Sequence, residues 1–89
     1  MKIKDGYILR KIAGDNIVIP VGNNIADFNG VIRLNESATL LWSNLQQETT
    51  EENLINLLVK EYEIDEKLAA NDVREFINIL KYKEIFEGN

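Results

Sequence analysis

The stretch Val31-Ile32-Arg33-Leu34-Asn35-Glu36-Ser37-Ala38-Thr39-Leu40-Leu41-Trp42 decides the reading of the fold, because the periodicity of the chain changes inside it. Val31 to Leu34 is short and rich in β-branched residues, which reads as a strand. Asn35 or Ser37 then offers a side-chain oxygen to cap a helix. Ala38, Leu41, Trp42 and Leu45 come after at the i, i+3, i+4, i+7 spacing of one helical face. Residues before this junction read as strand, and residues after it read as helix.

Upstream, Tyr7-Ile8-Leu9-Arg10-Lys11-Ile12-Ala13 places Ile8 and Ile12 on one face and Tyr7 and Leu9 on the other. Gly14-Asp15-Asn16 supplies turn chemistry ahead of the run Ile17-Val18-Ile19-Pro20-Val21, so the sequence predicts a hairpin centred near Gly14. Pro20 has no N–H and belongs at an edge, a bulge or a strand end. Gly22-Asn23-Asn24 and Asn29-Gly30 punctuate the chain, and Ile25, Ala26 and Phe28 between them are apolar enough to pack under the sheet. Val31 to Leu34 is then a third strand.

Downstream, Thr49-Thr50-Glu51-Glu52 has the capping-box pattern, with Thr49 as N-cap and Glu52 three residues on. Leu54, Leu57, Leu58 and Tyr62 form the apolar stripe of that second helix. Asp65 is placed to cap a third, whose face is Ala69, Val73, Phe76, Ile77 and Leu80, and Ile85 and Phe86 are placed to fold back onto the core. The order β-β-β-α-α-α predicts an α+β fold: a winged-helix-like, three-stranded antiparallel sheet followed by a three-helix bundle.

Composition narrows the function. At 89 residues the chain makes a single domain spanning 1–89, and its core is small, since a chain of this size hides only about 60–65% of its unfolded surface. It has no cysteine and no histidine. Disulfides, thiolate metal sites and the commonest general base are therefore excluded, and a binding protein without cofactor, metal or catalytic residues is expected rather than an enzyme. The acids Glu61, Glu63, Asp65 and Glu66 lack the full ligand pattern and glycine of an EF-hand loop and read as a solvated helix junction.

The formal net charge is −5. Residues 1–34 carry five basic and three acidic side chains, whereas residues 35–89 carry five basic and twelve acidic ones. That balance opposes general affinity for nucleic acid. No apolar run has the length of a signal peptide or a membrane span, so a soluble, cytoplasmic protein without membrane contact is expected.

Several segments are more specific than their periodicity. Ile19-Pro20-Val21-Gly22, Asp27-Phe28-Asn29-Gly30, Leu34-Asn35-Glu36-Ser37 with Trp42 beyond it, and Asp72-Val73 followed by Phe76 and Leu80 occur in one order and spacing. Together they resemble the PqqD family, named for a small protein of pyrroloquinoline quinone biosynthesis, from about Tyr7 to about Phe86. One departure stands at the end. Where the family often has a Gly followed by two or three apolar residues, this chain has Lys83-Glu84-Ile85-Phe86.

The resemblance implies a peptide-recognition module in its free-standing form. Such domains grip the leader segment of a ribosomally made precursor peptide and present it to a modifying enzyme, commonly of the radical S-adenosylmethionine type. The leader is held as an added strand beside the third strand, with side chains in a groove flanked by the third helix. Gly30, Val31, Ile32, Arg33 and Leu34 would form that edge, whose unpaired backbone groups accept any extended chain. On the third helix, Ala70, Arg74, Ile77 and Lys81 fall on one flank, suited to apolar and acidic leader side chains. The other flank carries Asp72, Ile79 and Lys83. Arg74 has Ala70, Asn71, Ile77 and Asn78 three and four residues away, so its own helix offers it no acid.

Plainer readings stand beside these. Phe76, Leu80 and Trp42 are core by default, Ile77 is either core or groove, and Asn35 is first of all a helix cap. Three helices with a short sheet also suit a winged-helix DNA-binding regulator, but the second helix offers Lys60 against Glu51, Glu52 and Glu61. No pair of acids marks an enzyme working by carboxylates alone. A scaffold that binds a protein partner and never meets a leader is the remaining option.

Overall fold

A computed structural model describes residues 1–22 and 32–87 of the chain. Ile25, Ala26 and Phe28, expected under the sheet, lie outside the described residues, as do Gly30 and Val31 of the expected edge.

The hairpin forms as the alternation requires. Strand β2 (Tyr7–Ile12) pairs antiparallel with β3 (Asp15–Pro20), in register from Tyr7 opposite Pro20 to Ile12 opposite Asp15. The turn is Ala13-Gly14, one residue earlier than the turn chemistry suggests, and Asp15 and Asn16 already belong to the strand. Both turn residues have positive φ (51° and 86°), the backbone of a two-residue type I′ turn. Pro20 ends its strand, so its missing N–H breaks no ladder inside it. Strand β4 (Ile32–Leu34) pairs antiparallel with β3, Val18 opposite Ile32 and Asn16 opposite Leu34, giving the order β2-β3-β4. Tyr7, Leu9, Val18, Ile32 and Leu34 turn toward the helices. Ile12, on the opposite face of β2, is 50% exposed.

Three helices cover the inner face: α1 (Glu36–Asn44), α2 (Glu51–Tyr62) and α3 (Glu66–Tyr82). The core joins Val18, Ile32 and Leu34 of the sheet to Leu41, Trp42, Leu45, Leu54, Leu58, Val73, Phe76, Ile77 and Leu80 of the helical half. Asn35 caps α1 by accepting the Ala38 N–H at 2.8 Å, and Asp65 caps α3 by accepting the Leu68 N–H at 2.8 Å. The cap of α2 is Thr50, not Thr49. Its hydroxyl accepts the Asn53 N–H at 3.1 Å. Thr49 is otherwise engaged: its N–H donates to the Met1 carbonyl at 3.0 Å and its carbonyl accepts the amino terminus at 3.1 Å.

The chain ends form a second, two-stranded sheet that periodicity did not announce. Strand β1 (Lys2–Ile3) pairs antiparallel with β5 (Phe86–Glu87). The Ile3 N–H donates to the Leu45 carbonyl at 2.9 Å, the Lys4 N–H donates to that of Ile85 at 3.0 Å, and the amino terminus pairs with Glu48. Ile85 and Phe86 are buried, as expected of them.

The departure from the family's C-terminal pattern has a structural consequence. Glu84 takes the left-handed conformation (φ 59°) that glycine favours. The Ile85 N–H reaches back to the Leu80 carbonyl at 3.0 Å and the Glu84 N–H to that of Lys81 at 3.0 Å, which is the bonding of a Schellman cap. Ile85 and Leu80, both fully buried, supply its hydrophobic contact. The turn is thus made without glycine, and the C-terminus still docks.

Candidate functional site

The sheet ends at β4, and no strand pairs with its outer edge among the described residues. Because side chains alternate along a strand, Ile32 and Leu34 point into the core while Arg33 points out. The Arg33 guanidinium lies 3.9 Å from the Asp15 carboxylate. Both are well exposed, so the pair holds Arg33 only loosely. Packing of Ile32 and Leu34 therefore fixes the strand in place. Its backbone N–H and C=O groups on the outer side have no ladder partner among the described residues.

A groove of about 540 Å³ runs beside that edge. Its apolar lining comes from Ala38 and Leu41 of α1 and Phe76 and Ile79 of α3. Asp72, Glu75, Phe76 and Ile79 succeed one another at i, i+3, i+4 and i+7, which brings them onto one face of α3. Asp15 and Arg33 stand at its sheet side, Asn35 and Ser37 at the start of α1. Phe76 is 5% exposed and Ile79 45% exposed, so Phe76 is fixed in the wall and Ile79 leaves much of its surface open to the groove.

A second hollow of about 320 Å³ adjoins the first and shares Asn35, Ser37 and Asp72 with it. Leu58, Tyr62, Ile64 and Leu68 give it an apolar lining, and Glu36 stands at its rim. Leu68 is 49% exposed. Tyr62 has its phenol pKa raised, first by burial and then by the carboxylates of Glu36 and Glu61, so the hydroxyl stays protonated and able to donate.

The flank of α3 singled out in the sequence does not line either hollow. Arg74, expected to be free of acids, donates from Nε to the Glu51 carboxylate at 2.7 Å. Glu51 belongs to α2, so a search three and four residues away on the same helix could not find it. Ile77 is 6% exposed and is core, and Lys81 places its ammonium 5.7 Å from the Phe86 ring centroid. Ala70, Arg74, Ile77 and Lys81 thus sit on the side of α3 that meets α2 and the C-terminal strand. The flank facing β4 is the alternative one, of which Asp72 and Ile79 line the groove and Lys83 does not, joined by Glu75. Ile32, Arg33 and Leu34 line the groove. Among the described residues no group of three or more acidic side chains has the arrangement of a metal site, and no helix is long and apolar enough to cross a membrane.

A short sheet covered on one side by three helices, with the outer edge of β4 beside a groove lined by α1 and α3, defines a small α+β domain. The family model of coenzyme PQQ synthesis protein D (PqqD) matches residues 15–85, and the chain belongs to that family. No curated protein matches it in sequence. Among solved structures, it is similar to TbiB1, determined in complex with the TbiA(beta) leader peptide: 24% identical, covering 100% of this chain and 98% of that one, with a TM-score of 0.77.

Proposed function

We propose that this protein binds the leader segment of a ribosomally made precursor peptide by adding it as a strand to the outer edge of β4. Backbone hydrogen bonds along Ile32–Leu34 supply affinity that does not depend on sequence, and side chains seated between Leu41, Phe76 and Ile79 supply selectivity. The observation that carries the proposal is the β4 edge, unpaired among the described residues, lying along a groove in a chain of the PqqD family. The solved complex of the similar fold with a leader peptide supports it.

The role is one of presentation. The protein holds the leader while a separate peptide-modifying enzyme, of the radical S-adenosylmethionine type that the family resemblance implies, acts on the rest of the precursor. It needs no catalytic residue or cofactor of its own, and it works in the cytoplasm where the precursor is made. A DNA-binding role is disfavoured by the same groove, whose acids repel phosphate.

The test is a binding titration. A fluorescent synthetic leader, taken from whichever short precursor a survey of the neighbouring genes identifies, should show saturable one-to-one binding. Competition by the unlabelled leader but not by its scrambled form is expected. No saturation at any accessible concentration would remove the proposal.

A further inference from the structure

We infer that the segment this site accepts is cationic, with Lys or Arg side chains interleaved among apolar ones. The inference rests on the strand-addition reading above and adds the sign of charge its partner must carry. Asp15, Asp72 and Glu75 line the groove against one cation, Arg33, which itself leans on Asp15 at 3.9 Å. The adjoining hollow adds Glu36 and no cation. The other basic residues of α3 named for the site do not reach in: Arg74 is held by Glu51, and Lys81 stands over Phe86. Among the described residues neither Asp72 nor Glu75 has an ion-pair partner.

The apolar lining makes the fit specific. Lys and Arg lay a hydrocarbon stem along apolar surface and keep the charge at its end. A stem lying on Phe76 and Ile79 would bring its head to Asp72 or Glu75, one helical turn away on the same face. A partner of the opposite sign would meet three carboxylates in a partly enclosed channel. One feature favours anions, the N-terminal end of α1 at Asn35 and Ser37. That end is already answered, because the Asn35 side chain takes the Ala38 N–H and Glu36 places a carboxylate in the first turn. The sign is therefore opposite to that expected from the Arg74 flank, which would have suited acidic leader side chains.

A display library of random peptides selected on the intact protein tests this, with isotope-labelled protein locating each binder. Enriched peptides should carry Lys or Arg next to aliphatic or aromatic residues and shift the amide signals of Ile32–Leu34. Their affinity should fall as salt rises, and should drop about tenfold in the double variant Asp72→Asn, Glu75→Gln. Salt dependence in the unaltered protein keeps the test open should that variant fold poorly. Neutral or acidic peptides that seat on the same amides and bind the double variant equally well would overturn the charge inference and leave strand addition standing. Cationic peptides that leave those amides unmoved, or no enrichment at all, would count against both.

Discussion

Replacing Ile79 by serine should weaken leader binding by about fivefold while leaving the fold in place. Ile79 lines the groove and keeps 45% of its surface exposed, so a seated peptide has that share left to cover. Fully burying an isoleucine side chain is worth about 1.5–3 kcal/mol, and just under half of that is about 1 kcal/mol, or about fivefold in Kd. The half already packed in the free protein sets the cost to stability at a similar size, which a cooperative domain tolerates. Ile12 is the control. It is 50% exposed, lies at the hairpin tip opposite Asp15 and does not itself line the groove, so Ile12→Ser removes the same chemistry without taking apolar surface from the groove wall. Calorimetric titration of one leader into the three proteins, with circular dichroism to check the fold, gives the comparison. Equal affinities for all three, or a larger loss at Ile12, would refute the assignment of this flank of α3.

Other consequences are independent of the ligand. Glu84→Gly should stabilise the protein by about 0.5–1 kcal/mol, because glycine meets no Cβ penalty at φ 59° and the glutamate is exposed; thermal unfolding should rise by about 2–8 °C, and an unchanged or lower midpoint would contradict the Schellman cap. Ala13→Asn should also raise the midpoint by supplying the Asn-Gly pair that a type I′ turn prefers, and a fall would mean the turn is of another type. Tyr62 has a folded-state pKa above its unfolded one, so the folded protein holds that proton more tightly. Its stabilising contribution is complete below the unfolded pKa and is lost as pH rises through the folded value. As pH rises past about 10, the unaltered protein should therefore lose more stability than Tyr62→Phe, as read from paired thermal melts; parallel curves would contradict it.

What was legible in the sequence is what repeats. Ala69, Val73, Phe76, Ile77 and Leu80 recur at helical spacing, and the structure buries all five. The alternation in Tyr7–Ile12 likewise separated Tyr7 and Leu9 from Ile8 and Ile12, and the structure shows which face is inner: Tyr7 and Leu9 pack on the core and Ile12 is exposed. The shift of the α2 cap from Thr49 to Thr50 was not legible, because Thr49 is taken by Met1 and no local pattern reveals a contact across 48 residues. Strands β1 and β5 are two residues each, too short to show any period.

The site divides in the same way. Val31 to Leu34 stood out as a short run rich in β-branched residues ahead of a capped helix, so a third strand there was readable. Which flank of α3 faces it was not, since that depends on how α2 packs, and the deciding pair, Arg74 with Glu51, joins residues 23 apart. Charge sign was a misleading guide, because the two cations of the other flank are occupied within the fold. Glu75 drew no notice in the sequence, since a single acid on a helix whose acidic and basic residues balance carries no signal. Leu68 had a signal that went unused: a large apolar residue off the core stripe, between Lys67 and Ala69, that now lines the second hollow.

Amide hydrogen exchange across β4 tests the central claim most directly. With a leader peptide at saturation, the account predicts slowed exchange within Ile32–Leu34, from those amides that face away from β3, and little change along β2. Binding that leaves every β4 amide exchanging at its free rate would contradict strand addition outright.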